Sequence, residues 1–151
     1  MGKTSFTREY GTIMKVNGSC HCGDITFNGQ IEGEAIVCHC TDCQVLSGSA
    51  FRVNVKAEAD SFKLTKGTLK NYTKVGDSGD PRVQAFCGNC ATPIYSSVEQ
   101  NPKYLFLRIG SIEQRNNIQP SVQIWQESAL CNFLNMEKVP SSAKQQALGV
   151  K

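Results

Sequence analysis

Long apolar runs are missing from this chain of 151 residues. No stretch approaches the roughly 20 residues that a membrane-spanning helix needs. Met1 to Lys15 is polar and charged, without the apolar segment of a secretory signal. A cytoplasmic protein with no membrane partner is therefore expected. Basic runs are missing too: the formal charge of +3 comes from lysines and arginines scattered over the whole length. No stripe of charge tracks a phosphate backbone, so nucleic acid is not an expected partner. Helical periodicity is scarce. Only Thr41 to Leu46 and a short segment within Ser141 to Leu148 suggest helices, and neither could organise a core. Repeats and low-complexity tracts are absent. The opening Met1-Gly2-Lys3-Thr4-Ser5-Phe6 fails as a myristoylation signal because Phe6 stands where Ser or Thr is required. The sequons at Asn17 and Asn71 are out of reach of glycosylation without export.

Short alternating stretches are what the chain does contain. Ile25-Thr26-Phe27, Phe51 to Val55 and Arg82 to Ala85 each read as a half-buried strand. Further strands are expected at Phe62 to Leu64, Leu69 to Thr73, Ile94 to Val98, Tyr104 to Ile109 and Val122 to Trp125. Turn-forming residues separate them at Gly67, Gly76 to Pro81, Asn101-Pro102 and Asn116 to Pro120. The fold class is all-β. One domain suffices for this length, with a polar leader over 1–15, the folded unit over 16–135 and a tail over 136–151.

Seven of the eight cysteines fall in three tight clusters: Cys20 and Cys22, then Cys38, Cys40 and Cys43, then Cys87 and Cys90. Thiolates one or two residues apart can share an ion at about 2.3 Å, whereas a CxC pair is poorly placed for a mutual disulfide. A reducing cytosol points the same way, so zinc is the expected cofactor. Cys20 and Cys22, and Cys87-Gly88-Asn89-Cys90, each resemble half a zinc knuckle. Paired, they would make a closed four-thiolate site of structural type, although spacing alone does not say which pairs share an ion. Cys38, Cys40 and Cys43 offer three thiolates with one tetrahedral position left, the pattern of a catalytic zinc. Such a centre could lower the pKa of an external thiol or polarise a carbonyl. The alternative is that Cys131, a histidine or water fills the fourth position and the ion only pins the loop.

Other residues carry weaker readings. His21 and His39 each lie between two cysteines, where an extended backbone turns the ring away from the shared ion. His39 is expected at the surface or behind the ligands, with acid-base work the less favoured option. Asp42 is expected to cap a turn. Cys131 reads as a small buried hydrophobe. Trp125, Phe86 and Tyr95 read as core, with Phe51 the one pocket candidate. Arg52, Arg82 and Arg108 read as solvated or ion-paired surface rather than ligand-binding groups.

Three segments carry a family resemblance: Gly18-Ser19-Cys20-His21-Cys22-Gly23; Cys38-His39-Cys40-Thr41-Asp42-Cys43 with Ser47-Gly48 and Phe51; and Cys87-Gly88-Asn89-Cys90 with Thr92-Pro93. This ordered pattern, over roughly Val16 to Phe133, resembles the glutathione-dependent formaldehyde-activating enzymes. The resemblance implies an Mss4-like fold of short antiparallel sheets (a β-tent) with two zincs per chain. By position, Cys20, Cys22, Cys87 and Cys90 match the family's structural ligands, and Cys38, Cys40 and Cys43 its catalytic ones. The implied activity is that of a carbon-sulfur lyase joining glutathione and formaldehyde into S-hydroxymethylglutathione. The sequence departs from the family at Gln44, where many members carry arginine, at Ala91, where glycine is usual, and at Cys131, where tryptophan is common. An ordinary backbone angle is therefore expected at Ala91. Two rival readings use the same residues: a zinc-stabilised β scaffold that binds a protein partner, and a redox or iron-sulfur protein.

Overall fold

A computed structural model of the chain describes residues 12–76 and 79–144. The strands are β1 (Met14–Ser19), β2 (Thr26–Cys38), β3 (Arg52–Glu58), β4 (Lys63–Lys66), β5 (Leu69–Val75), β6 (Pro81–Cys87), β7 (Pro93–Val98), β8 (Tyr104–Arg108) and β9 (Gln119–Ile124). They form one sheet in the order β1-β2-β3-β8-β7-β6-β5, with β4 and β9 also on β2. Every pairing is antiparallel except that of β9 with β2, so the all-β class expected from the sequence is observed. Among the described residues no helix is long and apolar enough to cross a membrane.

Alternation builds the core. Phe27, Ile31 and Ala35 of β2, Val55 and Ala57 of β3, Ile94 of β7 and Leu105 and Leu107 of β8 are buried together with Ile25, Val16 and Ile112. Each large aliphatic or aromatic side chain so removed from water contributes roughly 1.5–3 kcal/mol. Phe62 and Tyr95 extend this core: Phe62 stacks at 5.2 Å from Phe27 and meets Tyr95 edge-on. Cys20 and Cys87 belong to the same buried cluster.

The strand β2 is thirteen residues long where only Ile25 to Phe27 were expected. Gly29 and Gly33 hid it. Gly33 takes φ +67° and the register with β3 shifts between Ile31 and Ala35, so these residues mark a bulge rather than an end. β1, with only Met14 and Val16 as large apolar residues, was also missed, and it starts inside the stretch read as a leader. β9 begins within Asn116 to Pro120, read as a turn; Pro120 is tolerated because β9 is an edge strand. Of the expected C-terminal helix, residues 141–144 are not helical and the remainder lies outside the described residues.

The one α-helix of the described residues, α1 (Thr41–Ser47), is where the sequence placed it. No residue of it is buried, so its ends hold it. Cys40 caps the first turn, its sulfur accepting from the Cys43 N–H, and Gly48 closes the last turn at φ +62°.

Ala91 overturns the expected ordinary angle. Its φ is +61°, left-handed, as the tight turn after Cys90 demands. The turn is closed by the Ala91 N–H donating to the Cys87 carbonyl at 2.9 Å. A methyl in that conformation is disfavoured by roughly 1–2 kcal/mol. Ala91→Gly should therefore stabilise the domain by about 1 kcal/mol, raising Tm by roughly 2–4 °C in thermal unfolding. Gly18→Ala should act oppositely, because a Cβ there would overlap the Phe27 ring and the Ser111 carbonyl. A loss of roughly 1–3 kcal/mol, read in the same scan, is expected.

Candidate metal centres

The strand β2 carries a cysteine group at each end. Just before it, the loop holding Cys20 and Cys22 is closed by two bonds between the same residues: Cys20 N donates to the Ile25 carbonyl at 3.0 Å, and Ile25 N donates to the Cys20 sulfur at 3.2 Å. The β6–β7 turn brings Cys87 and Cys90 against it. The sulfurs of Cys20 and Cys22 stand 3.5 Å apart and those of Cys22 and Cys87 3.8 Å, and all four sulfurs lie within 4.8 Å of one another. Thiolates held tetrahedrally at about 2.3 Å from zinc stand about 3.8 Å apart, so the set fits such an ion. Thr92 joins the two halves. Its hydroxyl accepts from the His21 N–H at 3.0 Å and lies 3.1 Å from the Cys90 sulfur, which it holds down to about 5.

The second group stands where β2 runs into α1. Cys38, Cys40 and Cys43 bring their sulfurs within 4.8 Å of one another, with Cys38 and Cys40 at 3.4 Å. The hydrogen bond from Cys43 holds the Cys38 pKa down to about 5, and that same bond to Cys38 together with burial pushes Cys43 upward. Among the described residues neither Cys131 nor a histidine joins this set. The group is thus an open three-sulfur arrangement, and the other is a closed four-sulfur one. Both could hold a metal ion.

A polar clamp fixes the loop of the second group. The His39 carbonyl accepts from Gln44 Nε2 at 2.8 Å and from the Ser128 hydroxyl at 2.9 Å, while the His39 N–H donates to Ile124 of β9 at 3.0 Å. Gln44, at the position where many members of the resembled family carry arginine, is therefore a brace between α1 and the segment after β9. His39 itself is fully buried rather than at the surface. Its Nε2 lies 2.9 Å from Gln123 Oε1, which also accepts from Gln126 Nε2. Nδ1 of the same ring is left buried without a partner among the described residues.

Several expectations are corrected here. Arg52 and Arg108 are buried rather than solvated, 5% and 6% exposed, and neither is ion-paired to a carboxylate among the described residues. Arg82 is half-buried. Cys131 is exposed, its sulfur only 3.6 Å from the Ala129 carbonyl. Trp125 is half exposed and lines a cleft of about 360 Å³ with Cys40, Asp42, Lys74, Glu127 and Ser128. Asp42 sits in the first turn of α1 and pairs with Lys74. Phe51 meets the His39 ring edge-on at 5.6 Å and lines open clefts with Phe133 and Met136, in keeping with its pocket reading. Phe86 and Tyr95 line a cavity of about 240 Å³ floored by Arg52 and Gln84. Sequence reasoning had no signal for Gln84, Asn54, Gln123 or Ser128, which are ordinary polar residues until the sheet assembles them.

The comparisons agree with this architecture. Residues 15–128 match the model of a family described as "Glutathione-dependent formaldehyde-activating enzyme". A crystal structure of a Rhodobacter sphaeroides protein superimposes with a TM-score of 0.54 at 17% identity, covering 70% of this chain and 99% of that one, a likeness in fold alone. With the match spanning both cysteine groups and the sheet that carries them, the chain belongs to the glutathione-dependent formaldehyde-activating enzyme family, with its Mss4-like β fold.

Proposed function

We propose that the chain is a carbon-sulfur lyase-class enzyme that joins a peptide thiol of the glutathione type to a small aldehyde, formaldehyde by default. Cys20, Cys22, Cys87 and Cys90 hold a structural zinc in this reading, and Cys38, Cys40 and Cys43 a catalytic one. The observation that carries it is the contrast between four sulfurs that close a tetrahedron and three that leave one position beside an open cleft. When bound at the three-cysteine group, zinc supplies Lewis acidity and stabilises a thiolate.

The residues around that group suit a zwitterionic peptide thiol. Glu127 offers an anion to an ammonium and Trp125 supplies an apolar wall, while Lys74, paired with Asp42, brings a cation to the same cleft for a carboxylate. The reaction balances without an oxidant: the thiol loses its S–H bond, a carbon-sulfur bond forms at the carbonyl carbon, and the proton ends on the former carbonyl oxygen. An aldehyde as small as formaldehyde needs no shaped pocket.

A second reading, a zinc-stabilised scaffold for a protein partner, draws on the exposed apolar residues Val45, Leu130, Phe133 and Met136. Native mass spectrometry of reduced protein separates the two. Two zincs per chain with one bound glutathione are expected; two zincs with no thiol uptake at any glutathione concentration would favour the scaffold.

The division of labour between the groups generates its own test. Cys43→Ser should abolish carbon-sulfur bond formation and thiol uptake while leaving circular dichroism and Tm close to those of the parent, because Cys43 lies on a short helix with no fully buried residue and outside the apolar core. Cys87→Ser removes a sulfur that is part of the core and should unfold the domain or lower Tm by more than about 10 °C. Equal loss of fold in both variants would sink the assignment.

A further inference from the structure

Two guanidinium groups lie almost wholly inside the domain beside the three-cysteine group, and their hydrogen-bond partners are neutral. Gln84 Oε1 accepts from Arg52 Nη1 at 3.2 Å and from Arg108 Nη2 at 2.7 Å, and Asn54 Oδ1 accepts from Arg108 Nη1. Arg108 Nε, also buried, has no partner among the described residues. A buried cation without a counter-charge is strongly disfavoured, and two that face each other are more so. Their compensation must come from somewhere other than a carboxylate.

The sheet register says where. Cys38 on β2 and Arg52 on β3 are directly opposed, so their side chains leave the same face of the sheet. Asn54, two residues along β3, faces the same way and is opposed to Arg108 on β8. The groups near Arg52 that can carry negative charge are the sulfurs of Cys43, Cys40 and Cys38, and near Arg108 those of Cys43 and Cys38. A divalent ion on three thiolates carries one net negative charge. A neutral fourth ligand leaves that charge unchanged, whereas a thiolate doubles it. Two guanidinium groups match the second state and overshoot the first.

We propose that the buried Arg52–Arg108 pair makes the Cys38–Cys40–Cys43 centre select an anionic fourth ligand, a thiolate, over a neutral one. The inference rests on the metal reading given under Proposed function and deepens it. Arg52 and Arg108 act through their field at the ion and touch no reacting atom, so they are positioning residues. Gln84 holds both with one oxygen and keeps the pair in place.

The test uses the full chain loaded with cobalt(II), whose sulfur-to-metal absorption bands report ligation without turnover. Thiol binding is measured with 2-mercaptoethanol and neutral-ligand binding with imidazole, in the parent and in Arg52→Gln, Arg108→Gln and Arg52→Lys. Each glutamine variant should weaken thiol binding by at least about tenfold while moving imidazole binding less than about threefold. Arg52→Lys, which keeps the charge, should recover most of the thiol affinity. Equal losses for both ligands, or unchanged thiol affinity, would overturn the proposal while leaving the metal reading intact. A parent chain that takes up only one cobalt would overturn the metal reading itself. Should the glutamine variants not fold, the parent alone decides: azide must bind more tightly than imidazole, and the reverse order would refute the selectivity.

Discussion

Hydrogen bonding along both edges of β2 is the constraint on which the rest of the molecule depends. β1 and β3 take opposite edges, meeting at Ile31, so β4 must share the β3 edge near Phe27 and β9 the β1 edge near Ile36. One strand therefore organises four others, and its two ends hold the two cysteine groups. The first group lies just before the strand's first residue and the second begins at its last, so thirteen residues of β2 separate them along the chain.

The two ends differ in what surrounds the sulfurs. At the first, Cys20 and Cys87 are part of the apolar core, so filling that site and packing the domain are the same event. At the second, the sulfurs lie between a short helix with no fully buried residue and two buried cations. Burial lowers both guanidinium groups, and Arg108 is held at about 9 with Arg52 as the next contributor; the thiolates oppose that shift. The charge pattern is closed on itself within a few residues of sheet. This explains how a chain with a formal charge of only +3 and no basic run can still concentrate a strong local field.

The cysteine spacing made both groups legible before any fold was known, because thiolates one or two residues apart are poorly placed for a mutual disulfide and well placed to share an ion. Alternation made most strands legible as well. What stayed hidden was whatever depends on partners distant in sequence. Arg52 and Arg108 look like solvated strand residues until β2, β3 and β8 are aligned and their faces compared. Gln44 looked like a missing arginine and proved to be a brace, since its partners, the carbonyls of His39 and Ser128, come from opposite ends of the domain. Gly33, which carried no reading in the sequence, lies at a bulge within β2. Ala91 misled in the other direction: a side chain implied a permitted angle, yet the turn after Cys90 imposes φ +61° regardless.

The parallel pairing of β9 with β2 carries a consequence for biosynthesis. The Ser128 hydroxyl that holds the His39 carbonyl lies 89 residues further along the chain. Every ligand of the four-cysteine group has left the ribosome once Cys90 is out, whereas the loop of the three-cysteine group gains its clamp only with β9 and Ser128. A nascent chain can thus close its four-cysteine end first and finish its three-cysteine end last, so that Cys38, Cys40 and Cys43 acquire their final arrangement on a scaffold already largely assembled.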